Sequence, residues 1–308
     1  MAKLKQYIFF DFEMLCSDQG MSFDSMEAIR LGAVKYDLET EQTSTFDQYI
    51  KPESTKPLSL FCKNLTGITD EDLEKANSFT IVFSEFLSWV GGVKKSQFFS
   101  WSQSDLIRLK LDASVHDIPN SVLAKIEKRY IDFQEIFTKR VSKTNASVET
   151  ALQLYGLDFI GEKHSPMYDS FNTLRIYQQF LRFPIVTDLI MVEKFIFDND
   201  SYLIGEINEE LDKKLKSDLL HVVGYDDVFQ MKEAKKLVKK TRNLVKKYNN
   251  IRLNRSGLFN ETIIRNIENL IRFHHRLVAA YEEHAAFSSN VLILDEYLYQ
   301  PLNAFKMK

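Results

Sequence analysis

The chain has 308 residues, of which 44% are hydrophobic and 27% charged, and a net charge of −3. That length fits one or two domains with a sizeable core, and the near-balanced charge gives no whole-chain signal for nucleic acid. No apolar run reaches the ~18 residues of a membrane span, and Cys16 and Cys62 make neither a disulfide framework nor a zinc site, so both are read as small core-filling residues.

The opening MAKLKQYIFF runs straight into a strand pattern rather than a signal peptide, and a cytoplasmic location is expected. The strand QYIFFDF and the Glu13 that follows place two acids, Asp11 and Glu13, on one face with Phe12 on the other. Like charges so close at the end of a core strand repel and raise each other's pKa, and a divalent cation between them reverses that penalty. The plain alternative is that both acids sit in solvent where the strand ends. AIRLGAVKYDL (Ala28 to Leu38) and TFDQYIKP (Thr45 to Pro52) continue as an antiparallel meander. Helical patterns follow at PLSLFCKNL, at TDEDLEKA, where Thr69 stands three residues before Asp72 as a capping signal, and at FTIVFSEFLSWVG.

QFFSW (Gln97 to Trp101) reads as a further strand, with Asp105 just beyond it at the start of the helical SDLIRLKL. By itself Asp105 is an acid favoured by the helix dipole. RYIDF reads as a last short strand, followed by helices at FQEIFTKRV, SVETALQLYG and MYDSFNTLRIYQQFL. His164 stands five residues before Asp169 on the loop into the last of these. Strands that meander and then alternate with helices imply a mixed α/β sheet with helices on its faces.

Phe183-Pro184 is the natural boundary, separating residues 1–183 from an all-helical region, 184–308. From Lys232 to Arg276 there are thirteen Lys or Arg against three acids, a net +10. Met231, Leu237, Val238, Leu244, Val245 and Tyr248 form one apolar face, and Lys235, Lys236, Lys239, Lys240, Arg242, Lys246 and Lys247 fall largely on the others. This face either meets phosphates or is partnered by the acids of INEELDKKLKSD just upstream. His274, His275 and His284 lack the i, i+4 spacing of a helical metal site and are read as surface or core residues.

The order Asp11-x-Glu13, Asp105, His164-x4-Asp169 resembles the DEDDh 3′–5′ exonucleases, a branch of the ribonuclease-H-like fold. The resemblance covers about residues 5 to 182, with the run Asp169-Ser-Phe-Asn172 particularly specific, and within that family the string Pro-Leu-Ser-x-Phe-Cys-x-x-Leu-Thr-Gly-Ile is similar to the Eri-type exoribonucleases and the bacterial KapD-like proteins. One departure is Ser170, where many relatives have Asp or Ala; a small residue at a helix start leaves the ligand in place. The resemblance implies two Mg²⁺ or Mn²⁺ ions held by Asp11, Glu13 and Asp169, with Asp105 reaching through water and His164 as general base. It further implies Leu65 and Ile68 wedged against the terminal nucleotide, backbone amides near Phe12 and Met14 on its sugar, and Trp101 and Asn172 among the substrate contacts.

Three readings follow. The first is metal-dependent 3′–5′ hydrolysis of single-stranded RNA, which the Eri-like linker favours over DNA. The second is a DNA-directed exonuclease. The third is a regulatory protein that binds a partner through the C-terminal helices.

Overall fold

In the computed structural model, which describes residues 3–198, 203–224 and 226–305, the run YIFF lies in the middle of a sheet covered on both faces. Such a strand needs apolar side chains in both directions, hence its lack of alternation. The strands are β1 (Gln6–Met14), β2 (Ala28–Asp37), β3 (Thr43–Lys51), β4 (Asn77–Ser78), β5 (Ser96–Ser100) and β6 (Tyr130–Asp132), in the spatial order β4-β3-β2-β1-β5-β6. β1, β2 and β3 form the antiparallel meander, while β5 and β6 join β1's other edge in parallel.

The helices of this unit are α1 (Leu60–Thr66), α2 (Asp70–Glu74), α3 (Phe79–Val90), α4 (Gln103–Val115), α5 (Asn120–Glu127), α6 (Phe133–Phe137), α7 (Val148–Leu154) and α8 (Pro166–Arg182). Ile8, Phe10 and Phe12 pack with Phe83, Phe86, Leu106 and Leu109 in one core. On the opposite face Phe9 stacks on Phe99 at 4.7 Å, and Tyr177 of α8 meets Phe99 at 4.8 Å. Thr69 and Asp72 form the expected reciprocal cap of α2. Three features depart from expectation: β4 and α5 have no counterpart in the sequence reading, and the helix FQEIFTKRV changes to wider π turns at Thr138.

Contacts divide the chain into one unit of Met1–Lys139 with Thr144–Arg182 and another of Arg140–Lys143 with Phe183–Lys308. The short excursion has a physical reason, since the buried Arg140 guanidinium pairs with Asp188 at 2.5 Å inside the second unit.

The second unit is mostly helical, with α9 (Pro184–Val192), α10 (Ile207–Val223), α11 (Met231–Tyr248), α12 (Glu261–Ala286) and α13 (Glu296–Tyr299). Pro184 opens α9 at its first turn, where a missing N–H removes no helical bond. Leu211, Leu215, Leu237, Leu244, Tyr248, Ile267 and Phe273 share one core. DDVFQ, inside the region read as all-helical, instead contributes β7 (Val228–Gln230), paired antiparallel with β8 (Val291–Ile293). Gln230 and Glu233 then cap α11 reciprocally, which fixes its start at Met231. His274 lies in the core with Nδ1 2.8 Å from Thr241 Oγ1. No helix among the described residues is long and apolar enough to cross a membrane.

Candidate active site

Asp11 and Glu13 leave β1 on the same face, and Asp11 lies opposite Gly32 of β2. That glycine decides what else arrives. A Cβ on Gly32 would lie 2.0 Å from the backbone nitrogen of Met167, so only glycine lets α8 rest its first turn on the sheet. Ser170 Oγ donates to the Gly32 carbonyl at 3.2 Å and is itself buried, which accounts for a small residue at that position. With α8 seated there, ligand oxygens of Asp11, Glu13 and Asp169 all lie within 4.8 Å of one another.

Asp105, in the first turn of α4, is buried and accepts the Phe12 backbone N–H at 3.2 Å. It also shares a hydrogen bond with the Asp11 carboxyl. His164 belongs to the turn before α8 and has φ 60°, a left-handed backbone uncommon for a residue with a Cβ. Its backbone N–H donates to the Asp169 carboxylate, so the turn ties the histidine to the acid. All four acids and His164 line one cavity of about 530 Å³, together with Phe12, Met14 and Trp101.

Burial and mutual repulsion dominate the electrostatics. Asp11 is raised well above the ordinary carboxylate range, first by burial and then by Asp105, Asp169 and Glu13. Burial, followed by the charge of Asp169, lifts Glu13 to about 8, with Arg30 across the strand pair pulling the other way. Burial lifts Asp105 to about 7 against the Phe12 N–H, and Asp169 to about 6 against the His164 N–H. Four carboxyls in this state are a poor neighbourhood for one another and a good one for a hard cation. Every donor is an oxygen, as Mg²⁺ and Mn²⁺ prefer, so the residues fit divalent metal.

Three expected substrate contacts are corrected. Ile68 is 1% exposed and packs with Leu15, Ile29 and Cys62, so its side chain is core rather than a wedge. Leu65 of α1 is exposed, so burial does not overturn its expected contact. Asn172 is fully buried: its Nδ2 donates to the carbonyls of Ile160 and Tyr168, and its Oδ1 accepts from the Ile160 N–H, so it fastens the loop before α8. The Phe12 amide, expected on the terminal sugar, is taken by Asp105. Trp101 stays on the wall with its indole N–H fixed to Ala146 O at 2.9 Å.

The sequence reading missed Lys163, which lines the cavity and pairs with Glu149 at 2.7 Å. A lysine immediately before the histidine of GEKHSP was the available signal. It also missed the role of Gly32, although a glycine inside the strand pattern RLGAV marks a close approach.

The exonuclease family RNase_T matches residues 8–177. Among curated relatives, "3'-5' exoribonuclease 1" of Mus musculus is 28% identical over 183 residues, covering 56% of this chain and 52% of its own. "ERI1 exoribonuclease 2" of Homo sapiens is 27% identical over 197 residues, covering 57% of this chain and 28% of its own. The chain thus spans about half, or less, of the length of these relatives. Among solved structures, the nuclease domain of 3'hExo, a DEDDh family member bound to rAMP, superposes with a TM-score of 0.53 at 24% identity. That alignment covers 59% of this chain and 94% of the other and speaks for the fold. With more than half its length matched and the carboxylates gathered on one cavity, the chain belongs to the RNase_T exonuclease family, in its DEDDh branch.

Proposed function

We propose that the protein is a 3′–5′ exonuclease that releases 5′-mononucleotides from the 3′ end of single-stranded RNA, with two Mg²⁺ or Mn²⁺ ions. The observation that carries this reading is the convergence of Asp11, Glu13 and Asp169 on a cavity that also holds His164. Asp11, Glu13 and Asp169 are the residues that would hold metal, with Asp105 hydrogen-bonded behind Asp11. Divalent cations held there would offset charge on the reacting phosphate and make water a better nucleophile.

The rest is the work of the chain's own side chains. The His164 imidazole takes a proton from the attacking water as its oxygen bonds to phosphorus. The bond from phosphorus to the 3′-oxygen of the preceding nucleotide breaks, and that oxygen leaves with the bonding pair and takes a proton from solvent to become the 3′-hydroxyl. Trp101 and Phe159 give the cavity aromatic walls suited to a base, and Trp101 is held in place by its bond to Ala146. RNA is favoured because the relatives at 27–28% identity carry the name exoribonuclease.

A time course on 3′- and 5′-labelled single-stranded RNA and DNA, in Mg²⁺, Mn²⁺ or EDTA, tests the reading. The 5′-labelled RNA should shorten progressively while the 3′ label appears at once as mononucleotide. EDTA, Asp11→Ala and Asp169→Ala should each reduce the rate to background. Undiminished cleavage in any of the three overturns the metal assignment, and faster cleavage of DNA overturns the substrate.

A further inference from the structure

We propose that the solvent face of α11 is a second binding surface, which holds the phosphate backbone of single-stranded nucleic acid. The inference rests on the exonuclease reading for the identity of its polyanion, and on the following observations for the surface itself. α11 buries Ala234, Leu237, Val238, Thr241, Leu244 and Tyr248 in the core of its unit. The remaining surface presents exposed Lys232, Lys235, Lys236, Lys239, Lys240, Arg242 and Lys246, with Glu233 the one acid of the helix.

The acids just upstream do not neutralise this face. In α10, Glu210 pairs with Lys213 and Asp212 with Lys216, both within their own helix. Asp218 takes Lys247 at 2.5 Å, at the edge of the cationic surface. Among the described residues none of Lys235, Lys236, Lys239, Lys240 and Lys246 is in an ion pair. Side chains three or four apart are neighbours on a helix, so these lysines repel one another with no ion pair of their own to offset it.

Spacing favours an extended chain of charges as the ligand. Lys235, Lys239, Arg242 and Lys246 follow one another at intervals of four, three and four, a straight row about 16 Å long at a rise of about 1.5 Å per residue. A stacked strand carries one phosphate per about 3.4 Å, so the row faces roughly five phosphates. An anionic bilayer suits it less well. A helix that lies in a membrane needs an exposed apolar side, and the apolar side of α11 is committed to the core.

The test is the salt dependence of binding, measured by fluorescence anisotropy with the full chain and a long single-stranded RNA in EDTA. Lys235→Glu/Lys239→Glu/Lys246→Glu should raise Kd at least about tenfold at low salt. It should also flatten the slope of log K against log salt by about 2, at about 0.7 per phosphate contact. A control reversal of three exposed lysines in the first unit, Lys94, Lys95 and Lys125, should leave the slope close to wild type. If charge reversal compromises folding, the corresponding glutamine variant must show the same flattening in weaker form. An unchanged slope, or an equal change in the control, overturns the proposal. So does loss of binding to phosphatidylserine vesicles with RNA binding intact, which would assign the face to a membrane. Metal-dependent cleavage of a dinucleotide, followed in parallel, should be unaltered by the α11 variant. Failure of the wild type to cleave it would count against the exonuclease reading alone, because the binding assay contains no metal.

Discussion

The molecule concentrates like charge in two places and treats it in opposite ways. Around the cavity, Asp11, Glu13, Asp105 and Asp169 are driven together by strand register, a glycine contact and two helix starts, and all four are raised above the ordinary carboxylate range. On α11, the lysines stand in solvent over a well-packed apolar face. Burial makes the first group depend on whatever enters the cavity, because repulsion inside low-dielectric surroundings is strong. Water and salt screen the second, whose repulsion costs little and whose attraction for a polyanion is correspondingly salt-sensitive.

The largest expected effect tests whether the acidic region does chemistry beyond holding cations. His164→Asn keeps a residue that tolerates a left-handed backbone but removes the imidazole. It should lower kcat by about 10²–10⁴ with little change in substrate affinity. An unaltered kcat would mean that no side-chain base is needed, and the cavity would then be a metal site alone.

A smaller loss is expected when the acids stay but their convergence is disturbed. Gly32→Ala places a methyl group where the Met167 backbone nitrogen lies, and α8 must lift. Asp169 moves with it, and a displacement of about 1 Å can cost about 10²-fold in rate. The protein should remain folded with weakened cation binding, measured by calorimetry with Mn²⁺. Wild-type affinity and rate would show that the acids do not depend on this close contact.

Gly32 also shows where the sequence was hard to read. The sheet was legible because YIFF, AIRLGAV and QFFSW each carry a strand's worth of apolar residues between polar breaks. The four acids were legible because their order and spacing survive in one dimension. The close approach of α8 to β2 was not, because Gly32 and Met167 are brought together only by folding. For the same reason Ile68 was misjudged: in the link between α1 and α2 it packs with Leu15 and Cys62, a contact no local pattern announces. Asn172 looked like a ligand of substrate, but it closes the loop at Ile160 instead. β7 and β8 are three residues each and distant in sequence, too short for periodicity to register.

The smallest effect separates the two charged regions by what each responds to. With burial lifting Asp169 to about 6, Asp105 to about 7 and Glu13 to about 8, the folded chain binds more protons than the unfolded one above pH ~4. Stability contributed by these groups is therefore fully present below the unfolded carboxylate pKa and is lost as pH rises through about 6 to 8. In EDTA, Tm should fall by a few degrees over that window, and Glu13→Gln should remove part of the fall. Mg²⁺ should reduce it further by binding the ionised acids. Lys235→Gln/Lys239→Gln/Lys246→Gln should leave this pH slope intact and instead raise Tm by about a degree at low salt, since each like-charged i, i+4 pair costs about 0.2–0.5 kcal/mol. A Tm that holds steady or rises with pH in EDTA would show the carboxyls already ionised without a cation. The contrast between a buried cluster and a solvated face would then disappear.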